Sequence, residues 1–360
     1  MDNQLEDALA GAYYGAAIGD AMGGPVENNH ASRIRDTVGY VDDFLPYSEP
    51  HTLVDLQPGY ALRSDPGAVT DDTFIRGDII RFYLETDRPR TADELVSWLL
   101  DNADFDQWWR PAVSILETIE STSIDPRDAG ASHRQGGGSG WWTPVGMSHP
   151  GDPLAASSDC KRFCTIWKAP VEQDLVAAVQ AGVAEGLRPT ATWQSIIEAM
   201  LRVSGPLPRR LIERGVRVGK QAQDSDELIE LIYENLLFPE PESDSPEPPR
   251  DLEAQMPDPH PPVPSSSTSY TGHYNHEQIP IAVAGFVYAE GEPTDSIVAT
   301  VNVGRDCDST ATSVGSWVGA LHGKTALRDE WVETVASVNE PDIDLVALLD
   351  DLIVEIAGSG

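Results

Sequence analysis

The stretch Gly304-Arg305-Asp306-Cys307-Asp308-Ser309-Thr310 decides how the rest of this 360-residue chain is interpreted. Two carboxylates at a spacing of two are followed at once by a hydroxyl, and a segment of small residues, 311–322, begins directly after them. Oxygen donors of this kind suit Mg²⁺, Mn²⁺ or Ca²⁺ better than zinc or copper. The same pattern also fits a plain helix N-cap, because Asp and Ser are favoured there. A second acidic motif is needed to choose between the two.

That second motif is Val69-Thr70-Asp71-Asp72-Thr73, which opens a predicted helix. The helix dipole explains an aspartate in a first turn, but two aspartates and two threonines exceed what a cap requires. If the two helix N-termini face each other, four aspartates converge, with Glu27 as a possible fifth carboxylate. Like charges at close range oppose joint ionisation, and each dipole offsets only about 0.3–1 kcal/mol. The motifs together predict divalent cations, two of which form a common hydrolase centre.

The charge balance limits the possible partners. There are 59 acidic residues and 24 lysines and arginines, which gives a net charge of −35. Such a surface repels phosphate backbones, so we expect no nucleic-acid partner. Basic residues are nearly all arginines, and a carboxylate-rich, lysine-poor surface fits a cytosol at very high salt, where screening removes self-repulsion. We therefore hypothesise a halophilic origin.

Cysteine usage and the termini bear on the compartment. The odd count of three cysteines offers no paired framework and indicates a reducing environment. The acidic N-terminus lacks the basic region of a signal peptide. No apolar run reaches the length that crosses a bilayer. We expect a cytoplasmic protein without a membrane partner.

Helical periodicity dominates the chain. Apolar residues recur at spacings of three and four through most periodic segments, which predicts an all-α fold. In the first predicted helix, 5–22, Gly11, Gly15 and Gly19 lie four residues apart on one face, so another backbone can come close there. Residues 33–66 show no clear period and are predicted to form a long structured loop. Pro- and acid-rich residues 238–267 are predicted to be a surface excursion of one domain spanning residues 1–360.

A glycine-rich stretch is the third conspicuous feature, and it comprises Gly136, Gly137, Gly138, Ser139, Gly140, Trp141 and Trp142. The glycine run permits close backbone approach to a ligand, and the two tryptophans can stack on a base or sugar. Alternatively, the stretch is a surface turn that the tryptophan pair anchors to the core. Both possibilities remain open from the residues alone.

These segments together resemble the ADP-ribosylglycohydrolases, also called the dinitrogenase reductase-activating glycohydrolase family. The resemblance covers 11–27, 69–73, 136–146 and 277–323, and its most specific part is Thr-Asp-Asp upstream followed by Asp-x-Asp-Ser near the end. The family resemblance implies a compact single-domain orthogonal helical bundle. It also implies a dinuclear Mg²⁺ or Mn²⁺ centre bound by Thr70, Asp71, Asp72, Asp306, Asp308 and Ser309.

The same resemblance implies roles around that centre. Glu27 would lie at its rim near the reacting sugar, and the loop 136–142 would hold ADP-ribose. Glu27 and Asp71 are our candidates for handling protons or positioning water. Arg305 and Cys307 stand where the family usually has Gly and Thr, and Trp141-Trp142 stands where Met-Arg is common. These departures bear on the substrate more than on the metal donors.

The predicted activity is metal-dependent hydrolysis at the anomeric carbon of ADP-ribose attached to a protein or a small acceptor. One alternative is hydrolysis of a smaller ribosyl metabolite such as a nucleoside. A second alternative, from a different class, is a non-catalytic relative like the lens crystallins of the family. Clustered carboxylates are costly for a protein that binds no metal, which argues against the crystallin-like alternative.

Overall fold

The computed structural model describes residues 3–47, 61–130, 138–237 and 275–358, and helices dominate them. The predicted excursion at 238–267 therefore lies outside the described residues. The α-helices of the described part are α1 Asn3–Gly23, α2 Ala31–Thr37, α3 Asp71–Glu85, α4 Ala92–Asn102, α5 Arg110–Thr122, α6 Pro126–Ala129, α7 Thr143–Met147, α8 Pro153–Cys164, α9 Pro170–Gly186, α10 Trp193–Val203, α11 Pro206–Gln221, α12 Ser225–Asn235, α13 Asn275–Tyr288, α14 Pro293–Val301, α15 Cys307–His322, α16 Asp329–Asn339 and α17 Leu345–Gly358. The all-α prediction is confirmed.

Helices α1 and α15 pack antiparallel at very short range. Gly11 of α1 faces Gly319 of α15, and Gly19 faces Ala311, so that a Cβ added at either glycine would collide with the backbone opposite. The predicted close approach of a second backbone to the glycine face is therefore confirmed. Because the helices run in opposite directions, the C-terminal end of α1 lies beside the N-terminal end of α15.

A two-stranded ribbon fixes the chain at that same end. Strand β1 (Asn29–His30) pairs antiparallel with β2 (Gly304–Arg305), with Asn29 opposite Arg305. The backbone N–H of Asn28 also donates to the Arg305 carbonyl at 2.7 Å. Since Glu27 comes just before this ribbon and Asp306 just after it, the ribbon brings their backbones together.

Helix α3 lies between two apolar cores. Its residues Phe74 and Ile80 belong to the larger core, which is built around α1, α13 and α15. Its residues Ile75 and Phe82 belong to a second core, rich in aromatic side chains and shared with α4, α5 and α8. Burial on both sides holds α3 rigidly, and it thereby fixes the position of the acidic first turn. None of the helices described here is long and apolar enough to span a membrane.

One prediction about the loop region was wrong in part. Residues 33–37 lie within α2, where a continuous loop from 33 to 66 was expected. His30 caps this helix, with its Nδ1 accepting from the Ser32 backbone N–H at 3.1 Å. The helix spans seven residues and buries only Ala31 and Ile34, so it leaves no period in the sequence. Residues 48–60 lie outside the described residues.

Candidate metal centre

Three carboxylates meet where α1 ends and α15 begins. Glu27, Asp306 and Asp308 are buried, and each offers an oxygen within 4.8 Å of the oxygens offered by the other two. Glu27 is held in place by the Asn28 side-chain amide, which donates to its Oε1 at 2.8 Å. A group of buried oxygen donors at this spacing has the chemistry that Mg²⁺ and Mn²⁺ prefer.

The first turn of α3 joins this group. Thr70, the N-cap of α3, has its Oγ1 3.2 Å from Asp308 Oδ2, so the two helix N-termini meet as expected. Asp71 and Asp72 follow in the buried first turn. Ser309 contributes a hydrogen bond that lowers the pKa of Asp72. The structure therefore brings the two acidic motifs and Glu27 together.

Asp20 is a buried member of the cluster that sequence reasoning missed. It accepts hydrogen bonds from the Thr70 backbone N–H at 3.2 Å and from the hydroxyl of Thr73, while its Oδ1 lies 2.6 Å from Thr70 Oγ1. These contacts tie the end of α1 to the start of α3. The available signal was a carboxylate within the most glycine- and alanine-rich helix of the chain, where an ionisable side chain is costly unless it is paired.

The glycine-rich stretch packs directly on Asp72. The indole N–H of Trp141 donates to Asp72 Oδ1, and a Cβ at Gly138 would collide with the same carboxylate. Ser139 Oγ lies 2.6 Å from Ser313 Oγ of α15. The predicted substrate residues Gly136 and Gly137 lie outside the described residues. Among those that are described, Gly138 and Trp141 therefore border the candidate metal centre.

The two tryptophans are covered on all sides. Trp141 is 1% exposed and lies edge-on to Trp167 at 6.0 Å, while Trp142 is 0% exposed and stacks on Phe163 at 6.4 Å. Their faces thus pack in the aromatic core, the arrangement of the anchored-turn alternative. Contact between these two side chains and a substrate stays a prediction.

A polar network behind Asp306 was also missed by the sequence analysis. The Gln278 side-chain amide donates to Asp306 Oδ2, and its Oε1 accepts from Asn275 Nδ2 at 2.6 Å. The Asn275 backbone N–H in turn donates to the buried Glu172 at 2.6 Å. These contacts run from α9 through the first turn of α13 to Asp306. They orient its carboxylate, and no local pattern in the sequence could have indicated them.

Arg305 adopts a backbone conformation that favours glycine. Arg305 has φ +63°, in the left-handed region that costs a non-glycine residue about 1–2 kcal/mol. Its guanidinium Nε donates to the buried Glu277 at 2.8 Å. Cys307 Sγ donates to the Gly23 carbonyl at 3.3 Å. Both side chains therefore make contacts beside the candidate centre, and the oxygen donors of Asp306, Asp308 and Ser309 remain present.

Burial and mutual repulsion set the electrostatics of the cluster. Desolvation raises the pKa of Glu27, Asp71 and Asp308 well above the usual carboxyl range, and the neighbouring carboxylates raise these pKa values further. For Asp72 the same two causes raise the pKa to about 7. Burial also raises the pKa of Asp20, even though hydrogen bonds from Thr70 and Thr73 and the charge of Arg76 oppose this shift.

The donor set fits divalent cations. Asp72 Oδ2 and Asp308 Oδ1 are buried and accept no hydrogen bond from the part of the chain that the structure describes. Buried carboxylate oxygens without a donor are costly unless a cation or a proton compensates them. Nearby, the buried Tyr47 hydroxyl also lacks a hydrogen-bond partner among the described residues, and the charges of Asp20 and Asp308 help to raise its pKa.

Comparison with known proteins shows what the whole chain is similar to. Residues 1–359 match the profile of the ADP-ribosylglycohydrolase family. The "Uncharacterized protein YegU" of Escherichia coli (strain K12) is 22% identical over 362 residues, which covers 95% of each chain. A solved structure titled "ADP-ribosylglycohydrolase-related protein complex" superposes with a TM-score of 0.65 and 18% identity, over 99% of this chain and 100% of that one. At this identity the superposition shows a common fold.

Proposed function

Because this chain belongs to the ADP-ribosylglycohydrolase family, we propose that it is a metal-dependent hydrolase acting at the anomeric carbon of ADP-ribose conjugates. The observation that carries the proposal is the convergence of Glu27, Thr70, Asp72 and Asp308 from three segments of the chain. A structural protein gains nothing from buried carboxylates that repel one another. The non-catalytic alternative is therefore disfavoured.

We assign the metal ligands to the two acidic motifs. Thr70, Asp71, Asp72, Asp306, Asp308 and Ser309 would hold two Mg²⁺ or Mn²⁺ ions. Cations bound there would act as Lewis acids toward the ribose hydroxyls and supply the positive charge that the clustered carboxylates require. The hydrogen bonds from Trp141 to Asp72 and from Gln278 to Asp306 hold these ligands in one orientation before the substrate arrives.

Glu27 and Asp71 are assigned to the reacting side of the centre. They are 5% and 7% exposed, the two highest values in the carboxylate cluster, where Asp306 and Asp308 are both 3% exposed. We place their carboxylates on the side of the cluster where an attacking water would enter. Each can accept a hydrogen bond from that water and take up its proton as the glycosidic bond breaks.

ADP-ribose conjugates are proposed ahead of simple nucleosides. The loop around Gly138 lies directly on Asp72, and backbone N–H groups of such a loop can bind phosphate without a nearby lysine. A nucleoside requires no phosphate contact, so it remains the second candidate. It is favoured by the neutral Trp141-Trp142 pair, which stands where the family resemblance implies Met-Arg.

The proposal is tested by hydrolysis assays on three substrate classes. Purified protein is incubated with Mg²⁺ and with ADP-ribosylated protein, O-acetyl-ADP-ribose or a nucleoside panel, at several KCl concentrations. We expect ADP-ribose release that stops after exhaustive chelation and resumes when Mg²⁺ or Mn²⁺ is added. Full activity after chelation contradicts the metal dependence. Release of ribose from nucleosides, with ADP-ribosyl substrates untouched, reverses the substrate ranking.

A further inference from the structure

A cavity lies near the C-terminal end of α3, whereas the acidic centre lies at its N-terminal end. Its volume is about 410 Å³, and it is lined by Tyr83, Arg88, Pro89, Arg90, His149, Asp159, Arg162 and Phe163. We call it the arginine pocket. Tyr83 follows Asp71 by twelve residues on the same helix, which corresponds to about 18 Å along the helix axis. The pocket is therefore separate from the candidate metal centre.

The lining of the arginine pocket is rich in basic residues, although the whole chain is strongly acidic. It holds three arginines and a histidine but one carboxylate, Asp159, in a protein whose net charge is −35. One of the arginines and the histidine are held by contacts to that carboxylate. Asp159 lies 3.0 Å from an Arg162 nitrogen and 2.8 Å from His149 Nε2. The single negative group is thus already neutralised within the pocket.

Arg90 forms a rigid wall of the pocket. Its guanidinium is buried, donates to the Tyr83 and Thr86 carbonyls, pairs with Glu355 at 2.9 Å and lies 4.5 Å from the Tyr83 ring centroid. These contacts fix the cation in one position. Because the Arg90 side chain is already immobile, it loses little entropy when a ligand binds beside it.

Arg88 is the positive group that remains available. It is exposed, and it makes no hydrogen bond or ion pair with any residue in the described ranges. Its charge nevertheless reaches Asp159, where it adds a smaller contribution to the lowering of the pKa that the His149 hydrogen bond causes. Its guanidinium can therefore turn toward a ligand in the pocket without breaking an existing contact.

We propose that the arginine pocket binds the phosphate group of a phosphorylated small molecule about the size of a mononucleotide. The planar donor fork of arginine matches phosphate oxygens bidentately. Ligand pockets typically measure about 300–1,000 Å³, and a volume of about 410 Å³ leaves room beyond a phosphate group. Tyr83, Pro89 and Phe163 supply apolar surface for the rest of the molecule. This inference does not rest on the hydrolase activity.

The test measures binding by calorimetry to the full chain in the presence of a chelator. The probes are inorganic phosphate, AMP and ADP-ribose, with ribose as an uncharged control. We expect AMP to bind one per chain, more tightly than inorganic phosphate, and ribose not to bind. Equal affinity for inorganic phosphate and AMP overturns the assignment to an organic phosphate. Absence of binding by all three phosphate probes overturns the proposal.

Matched variants locate the bound phosphate. Arg88→Gln, alone and with Arg162→Gln, is expected to weaken AMP binding about tenfold or more, since a charge-assisted hydrogen bond is lost. Arg110→Gln removes an exposed arginine that pairs with Glu117 and does not line the pocket, so it should leave binding unchanged. Asp308→Asn should also leave it unchanged. Unaltered binding in Arg88→Gln, or loss in Asp308→Asn, contradicts the location.

Discussion

The two ends of α3 differ in how their charges are compensated. At the N-terminal end, Asp71 and Asp72 share buried space with Asp308, and the pKa of Asp72 rises to about 7. At the C-terminal end, Arg90 is satisfied by backbone carbonyls and by Glu355. The acidic end therefore holds more buried carboxylates than the buried cations Arg76 and Lys168 can balance, whereas Arg88 alone among the arginines of the basic end lacks a partner in the described part of the chain. A charged group that lacks a partner therefore indicates a ligand site better than the presence of charge alone.

The pKa of an aspartate outside the acidic end is shifted in the opposite direction. Asp125 is partly exposed, and its hydrogen-bonded ion pair with Arg127 lowers its pKa to about 2. Asp72 is the same residue type with a pKa shifted in the opposite direction, because burial and neighbouring carboxylates disfavour its charged form. The environment of these carboxylates separates the candidate ligands from ordinary surface acids.

The largest effect is expected from breaking the contact that assembles the acidic end. A Cβ at Gly315 of α15 would collide with the Gly15 backbone of α1, and neither helix can yield. Gly315→Ala should therefore lower the free energy of unfolding by about 3 kcal/mol. The matched control is Gly358→Ala in α17, where nothing lies within 4 Å and alanine favours the helix. Equal stabilities of the two variants by denaturant unfolding would show that the contact is unimportant.

The next effect concerns Lys168, a buried cation beside the acidic end, 5.4 Å from the Trp141 ring centroid. Burial lowers its pKa from 10.5 to about 8, so between these pH values the unfolded chain binds more protons than the folded one. Wild-type stability therefore gains from rising pH, by at most about 1.4 kcal/mol per pH unit.

Lys168→Met removes this titration. The difference in unfolding free energy, wild type minus variant, should therefore increase between pH 8 and pH 10. Lys220→Met provides the control, because Lys220 is exposed on α11. A difference that stays flat for Lys168→Met, or that grows equally for Lys220→Met, contradicts this account of the buried amine.

A smaller effect is expected at Asp20, which supports the ligands without belonging to the predicted set. Asp20→Asn replaces one of two acceptor oxygens with an N–H donor, and because both oxygens accept from Thr70 or Thr73, the first turn of α3 should shift. Loss of such a supporting contact typically lowers metal affinity about 10–100-fold. Mn²⁺ titration by calorimetry checks this. Wild-type affinity in Asp20→Asn would mean that Asp20 only supports the fold.

The smallest effect is expected when one of two neighbouring tryptophans is substituted. Trp141→Phe removes the indole donor to Asp72, whereas the buried Trp142 Nε1 has no hydrogen-bond partner among the described residues. Both substitutions remove a similar volume from the same aromatic core. Trp141→Phe should weaken Mn²⁺ binding about tenfold, and Trp142→Phe should leave it unchanged. Equal Mn²⁺ affinities would remove any role for the indole N–H at the centre.

The features of this arrangement that could be predicted from the sequence are those with a local sequence pattern. The four-residue spacing of Gly11, Gly15 and Gly19 predicted the close helix pair, and the two acidic motifs predicted a shared site. Asp20 and Gln278 were missed because their roles arise from contacts between distant segments. A local pattern specifies an element and one of its faces, whereas the partner of a buried polar group depends on the tertiary packing.

The most direct measurement is the number of Mn²⁺ ions bound per chain, determined by equilibrium dialysis of metal-free protein. The account predicts two for the wild type, a lower number or much weaker binding for Asp308→Asn, and two for the surface control Asp125→Asn. Asp308 tests the claim because its Oδ1 is buried without a donor in the described part of the chain. No bound Mn²⁺ in the wild type, or equal binding by Asp308→Asn, would contradict the assignment of this acidic cluster as a metal centre.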